Sequence, residues 1–163
     1  MDEQEDTCIR EVRDSDVASI AQLIHHTIDV CYTGVYPPRA VQFFKDSHSP
    51  GGIRERSKEG DILVMERGGE VVGTGAIVDN EIRGVFVEPT AQGQGYGRAI
   101  MHELENRAKA KGHQEVALSV SLPSRKFYEG LGYEIHGDGH IDVGKGQKLD
   151  FWKAKKSLRR DES

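Results

Sequence analysis

Cysteine is scarce: Cys8 and Cys31 are the only two in 163 residues. Their spacing fits neither a metal site nor a redox pair, so the expectation is two free thiols in a reducing, cytoplasmic setting. No apolar run approaches the ~20 residues of a membrane span, so no membrane partner is expected. The opening residues Met1-Asp2-Glu3-Gln4-Glu5-Asp6 are acidic and lack an apolar stretch, so no secretion signal is expected either. Basic residues are not in excess. With 22 Lys and Arg against 27 Asp and Glu, the net charge of −5 argues against nucleic acid as the main partner. His136 and His140 straddle glycines with no carboxylate pattern around them, and no metal site is expected. Neither an internal repeat nor a linker is present. The length suits a single domain, residues 1–163, with a substantial core.

Glycine, by contrast, is plentiful at 19 residues, and one glycine-rich stretch organises the rest. Val85-Phe86-Val87 reads as the end of a strand. Pro89 stops it, because proline cannot donate to a ladder. Gln92-Gly93-Gln94-Gly95-Tyr96-Gly97-Arg98 follows, and a helical pattern begins at once. A strand, a glycine turn and a helix together aim backbone N–H groups at an anion. The turn is not a P-loop, because Gly97 is followed by Arg98-Ala99 rather than Lys-Ser/Thr. Nor does its spacing fit a dinucleotide fingerprint.

Read as Gln92-x-x-Gly95-x-Gly97 after a Val-x-Val-x-Pro strand, the stretch resembles the acetyl-CoA signature of the GCN5-related N-acetyltransferases. Phe127-Tyr128-Glu129-Gly130-Leu131-Gly132-Tyr133 resembles the same family's second signature. The resemblance implies an α/β fold: a mixed, mostly antiparallel sheet of six or seven strands, helices on both faces, splayed between strands 4 and 5. It implies acetyl-CoA as co-substrate and an amine acceptor, small molecule or protein. Carried over residue by residue, it puts the cofactor on the turn of Gln92, Gly93, Gln94, Gly95, Tyr96, Gly97 and Arg98, with the amides of Gln94, Gly95, Gly97 and Arg98 carrying the pyrophosphate. The pantetheine arm falls along Val85, Phe86 and Val87. Ser121 and Ser124 stand where many members have Asn and Ala, which alters the contacts on that side.

The chain order agrees. Thr7 to Val12 reads as strand 1, with Asp14 or Ser15 as N-cap of a helix whose buried face is Val17, Ile20, Ala21, Ile24 and Ile28. His25 and His26 are adjacent and share no helix face. Pro37-Pro38 opens a second helix with Ala40, Val41, Phe43 and Phe44 inward. Ser49 to Gly52 reads as a loop and Ile53 to Lys58 as one further helical turn. Three strands follow with short turns at Gly68-Gly69 and Asp79-Asn80, an antiparallel meander rather than a Rossmann start. A helix ending at Gly112 leads to the strand Val116–Val120. Pro123 then starts a short helix. Turns are expected at Gly137-Asp138-Gly139 and Gly144-Lys145-Gly146, a last strand over Leu149–Ala154, and a frayed tail from Arg159.

Two catalytic residues are implied by the resemblance. Glu81, eleven residues before Gln92, is the candidate general base if partly buried; the alternative is a solvated strand-end carboxylate. Tyr128 is the candidate acid for the departing thiolate, with an ordinary pKa near 10, against a core aromatic with a satisfied hydroxyl. Phe127 and Leu131, at i and i+4, are expected in the core. Tyr32, Tyr36 and His48 are candidates to line the acceptor site. An acyl-CoA-sensing module without turnover stands as the alternative function, and a homodimer is left open.

Overall fold

In the computed structural model, which describes residues 6–159, the chain forms seven strands and five helices. The acidic opening residues 1–5 and the tail 160–163 lie outside the described residues. The strands are β1 Thr7–Glu11, β2 Asp61–Arg67, β3 Glu70–Val78, β4 Glu81–Val87, β5 Glu115–Ser121, β6 Glu134–Gly144 and β7 Gln147–Ser157. They make one sheet in the order β1-β2-β3-β4-β5-β7-β6. Every pairing is antiparallel except β4 with β5. That parallel pair is held in register only at Glu81↔Ala117, with the Ala117 N–H donating to the Asn80 carbonyl at 3.0 Å. Beyond this point β4 and β5 part, and a cavity opens in the gap.

Helices cover both faces. On one lie α1 Val17–Cys31, α2 Pro38–Ser47 and α3 Pro50–Glu59. Their apolar sides enclose Ile24, Ile28, Ile53, Val64, Ala76 and Phe86. The other face carries α4 Tyr96–Ala110 and α5 Arg125–Gly130 over Leu63, Ile77, Ile100, Leu104 and Val120. Close approach explains two glycines of β3. A Cβ at Gly73 or Gly75 would lie 2.8 Å from Ile100, so α4 packs directly on the strand. A buried polar group ties α4 to the far strands. The Glu105 carboxylate accepts from the Tyr133 hydroxyl at 2.7 Å and from Lys156 Nζ at 3.0 Å.

Several local expectations need correction. Asp14 and Ser15 do not cap α1; Asp14–Asp16 is a 3-10 turn that runs into it. Its Asp16 is taken by Arg10, at 2.8 Å to each oxygen, and by the Arg13 N–H at 2.6 Å. The expected loop at Ser49–Gly52 is the first turn of α3. Ser49 caps it by accepting from the Gly52 N–H at 3.1 Å, and Pro50 supplies a ready φ. Gly137-Asp138-Gly139 is not a turn: β6 runs through it, absorbing the extra residue as a register shift between Ile135 and Gly137. Phe43, placed inward by the helical pattern, is 38% exposed. Among the described residues, no helix is long and apolar enough to cross a membrane.

Candidate active site

The cavity in the split measures about 470 Å³. One wall is β4 and the turn after it. Val85, Phe86 and Val87 line it, followed by Ala91, Gln92, Gly93, Gly95, Tyr96, Gly97 and Arg98. Gln92 fastens turn to strand by donating its amide to the Val87 carbonyl at 3.0 Å. Gly93 and Gly95 adopt φ of +81° and +86°, and a Cβ at either would meet no protein atom within 4 Å. The left-handed backbone is easy for glycine and strained for other residues. Gly95 is the N-cap of α4 and offers no side-chain cap. The first N–H to close onto the helix is that of Ala99, donating to the Gly95 carbonyl at 3.0 Å. The N–H groups just before it have no intrahelical acceptor. With the helix dipole behind them, they make an anion cradle open to the cavity.

The opposite wall comes from α1 and from the start of α5: Thr27, Cys31, Tyr32, Pro123, Ser124, Phe127 and Tyr128. Tyr128 is only 8% exposed. Its hydroxyl makes no hydrogen bond among the described residues, and burial first, then Tyr32, hold its pKa above the ordinary tyrosine value. Phe127 is not a core residue: 38% exposed, it forms cavity wall edge-on to Tyr128. A Cβ at Gly97 would lie 3.0 Å from its ring, so the glycine lets turn and aromatic meet.

Behind this wall runs a polar chain. The Tyr32 hydroxyl and Ser121 Oγ are 2.9 Å apart, and Ser121 Oγ and Ser124 Oγ are 2.6 Å apart. Burial raises the pKa of Tyr32 against the lowering pull of the two serines. Tyr36 sits beside it, its hydroxyl donating to the Asp150 carbonyl and accepting from the Leu122 N–H, at 2.8 and 2.9 Å. Desolvation pushes its pKa up to about 12. Both rings pack on Phe44.

The remaining candidates lie off the cavity. Ser121 touches it only through Ser124. Gln94 faces away, its Oε1 accepting from Arg67 at 3.3 Å. Tyr36 is buried and fully engaged, so it braces the wall rather than offering a hydroxyl to a substrate. His48 is 9% exposed, edge-on to Phe86 with ring centres 5.3 Å apart. Burial, then Arg56 and His25, hold its pKa down to about 3. Glu81 stands at the closed end of the split. Its carboxylate is half exposed and ion-paired with Arg83 at 2.5 Å, so it lacks the buried surroundings the sequence reading asked for. Sequence reasoning did not single out Thr27, Cys31, Ala91, Pro123 and Phe127 for the site. Only Phe127 carried a signal, as the first residue of the second motif. His25, half-buried, bridges α1 to α2 with Nε2 at 3.0 Å from the Lys45 carbonyl, whereas His26 is exposed. No group of three metal-type ligands occurs among the described residues.

Residues 32–145 match the family model described as "Acetyltransferase (GNAT) domain". Glucosamine 6-phosphate N-acetyltransferase of Trypanosoma brucei brucei is 37% identical over 70 residues, covering 43% of this chain and 43% of that protein. IAA acetyltransferase of Azospirillum brasilense is 38% identical over 66 residues, covering 37% and 43%. The chain thus spans under half the length of these curated relatives. A GCN5-related N-acetyltransferase structure from Rhodopseudomonas palustris superposes with a TM-score of 0.85 at 18% identity, covering 96% of this chain and 99% of that one. The PaiA N-acetyltransferase of Thermoplasma acidophilum, solved with coenzyme A, gives 0.74 at 18%, covering 93% and 99%. YncA of Salmonella typhimurium, a putative acetyltransferase solved with acetyl-CoA, gives 0.69 at 21%, covering 96% of each.

Proposed function

The chain belongs to the GNAT acetyltransferase family, and from that premise we propose that it is an N-acetyltransferase moving the acetyl group of acetyl-CoA to a primary amine by direct attack. One observation carries this reading: a buried tyrosine hydroxyl with no hydrogen-bond partner among the described residues faces a cavity whose other wall is an anion cradle. Coenzyme A in one structural neighbour and acetyl-CoA in another support the cofactor, and the donor set fits it. Two open glycine positions and unbonded N–H groups suit a pyrophosphate. Acetyl-CoA would supply the activated acetyl thioester.

In this reading the amides from Gly93 to Arg98 hold the diphosphate, with Tyr96 and Gln92 shaping the turn. The backbone of Val85, Phe86 and Val87 lies along the pantetheine, and Ser124, backed by Ser121, borders it from the β5 side. Gln94 faces Arg67 and contributes its backbone alone. Tyr128 keeps its proton at neutral pH and gives it to the departing thiolate. Burial, which strengthens that hold, also makes the hydroxyl a donor in a poorly screened site. Glu81 enters as a base acting through water, on the sheet face opposite Ile82, which packs under α4. Its Arg83 partner must yield for that role, and a Glu81→Gln protein with full kcat would remove it. The acceptor enters from the side of α1, α2 and the β6–β7 hairpin. Two free thiols suit a cytoplasmic location.

The test is incubation with acetyl-CoA and a panel of amines while free thiol is followed. Amine-dependent thiol release is expected. Acetyl-CoA binding without release from any amine would leave the sensing module instead.

A further inference from the structure

Among the described residues Arg56 forms no ion pair. It reaches from α3 over β4, where a Cβ on Gly84 would lie 2.8 Å from its Nη1 and 3.5 Å from His48 Cε1. Gly84 has φ +62° at the irregularity in the β3–β4 pairing. The missing side chain is what admits the guanidinium. Its Nη2 donates to His48 Nδ1 at 3.1 Å and, at 3.4 Å, to the Ser47 carbonyl. Both acceptors are neutral. Among the described residues no carboxylate lies within 4.0 Å of it. Glu59 attracts it from further off, whereas Arg83, already paired with Glu81, repels it. Because His48 Nδ1 accepts, its Nε2 carries the proton, and that donor also has no partner among the described residues. A half-buried guanidinium with only neutral partners is costly unless an anion completes it.

The place of this pair matters. Gly84 adjoins Val85, and His48 stands edge-on to Phe86; both Val85 and Phe86 line the cavity. A guanidinium with only neutral acceptors and an imidazole N–H without a partner among the described residues therefore stand together against β4, beside two residues that line the split. We infer that Arg56 and His48 form an anion subsite for the acceptor, and that the acceptor is an amine that also carries a carboxylate or a phosphate ester. The inference rests on the acetyltransferase reading and narrows it. Arginine suits either group, because its planar fork matches both.

The experiment compares acceptors in pairs: an amino acid against its amide, and glucosamine 6-phosphate against glucosamine. In one pair or the other the anionic member should have the higher kcat/KM, by about 10- to 100-fold, the range for a hydrogen bond to a charged group. Which pair responds tells carboxylate from phosphate. Arg56→Met should erase that preference by raising the KM of the anionic member, with kcat held, and Arg56→Lys should restore part of it. Equal use of both members, no turnover of either anionic amine, or an equal loss for both members in Arg56→Met overturns the subsite. Should Arg56→Met not fold, the native protein decides. Acetate or inorganic phosphate competing with the amine but not with acetyl-CoA supports the subsite, and neither competing overturns it. Thiol release with any amine is scored separately, so failure of the acetyltransferase reading is seen on its own.

Discussion

The two walls of the cavity are built by opposite means. The wall of β4 and the glycine turn is made of main chain. Its functional groups are N–H donors, its geometry is set by positive φ at Gly93 and Gly95, and its contacts are local, as in Gln92 to Val87. The wall of α1 and α5 is made of side chains, backed by contacts that meet across the whole sequence. Tyr32 reaches Ser121, and Tyr36 reaches both Leu122 and Asp150, spanning 86 to 114 residues in the Tyr36 bonds. A main-chain wall tolerates most side-chain exchanges but no added Cβ at its left-handed glycines. A side-chain wall has the reverse sensitivity. In our reading the glycine turn holds the pyrophosphate by main chain alone, so side chains across the cavity can change without disturbing the turn.

The comparison is broken most sharply at Tyr128, which lies on the side-chain wall but acts, in our reading, on the thiolate. Tyr128→Phe keeps the ring and removes the proton. We expect kcat to fall by about 10²–10⁴ with acetyl-CoA binding nearly intact. Preserved kcat with lowered stability would make the residue packing only. Next comes Gly95→Val. Acetyl-CoA at a hundredfold excess over its Kd should stabilise the native protein by about 2.7 kcal/mol. Valine should abolish that thermal shift, because a β-branched residue cannot easily hold φ +86° and its bulk enters open cavity. A full shift in the variant would dissolve the main-chain wall as the cofactor site. Smaller in effect, Tyr36→Phe leaves the Leu122 N–H and Asp150 carbonyl without their partner, and should cost about 1–3 kcal/mol of stability. Urea unfolding measures it, and a cost near zero would mean these long-range bonds do not brace the wall.

The smallest effect tests how dry the packing behind β4 is, at His48 against Phe86. The folded pKa of His48 is depressed to about 3 from 6.5. The unfolded chain therefore takes up the proton first, and this group's contribution is lost as pH falls from about 6.5 toward 3. At pH 5.5, one unit below the unfolded value, the loss is about 1.4 kcal/mol. His48→Gln should remove that part of the pH dependence. Identical profiles for the two proteins would mean that the imidazole is hydrated.

How much was legible follows the same division. The glycine turn, the meander, the order of elements and the place of Tyr128 could be read because each depends on residues near one another in sequence. Ser49-Pro50 was misread: an N-cap followed by proline at N1 was there to see, but the two glycines after it led to a loop. Phe127 was misplaced because an i, i+4 partner says which residues share a helix face and not what that face meets. The strand through Gly137–Gly139 was hidden because its extended form depends on β7 as partner.

By itself the sequence determined the local backbone: where glycine must take a positive φ, where proline and a following helix end a strand, and which stripes turn inward. Steric limits on φ and ψ and the periodicity of burial act within a few residues, so they are written in the order of the chain. Only the tertiary structure decided that Tyr36 is a brace and Glu81 the partner of Arg83. It also left Arg56, which no pattern marks, lying over Gly84 with no carboxylate within 4.0 Å among the described residues. Burial and electrostatic partnership depend on what the fold brings within a few ångströms. For this wall those neighbours come from α1, α2, α3, β4, the end of β5 and β7, segments that are remote in sequence.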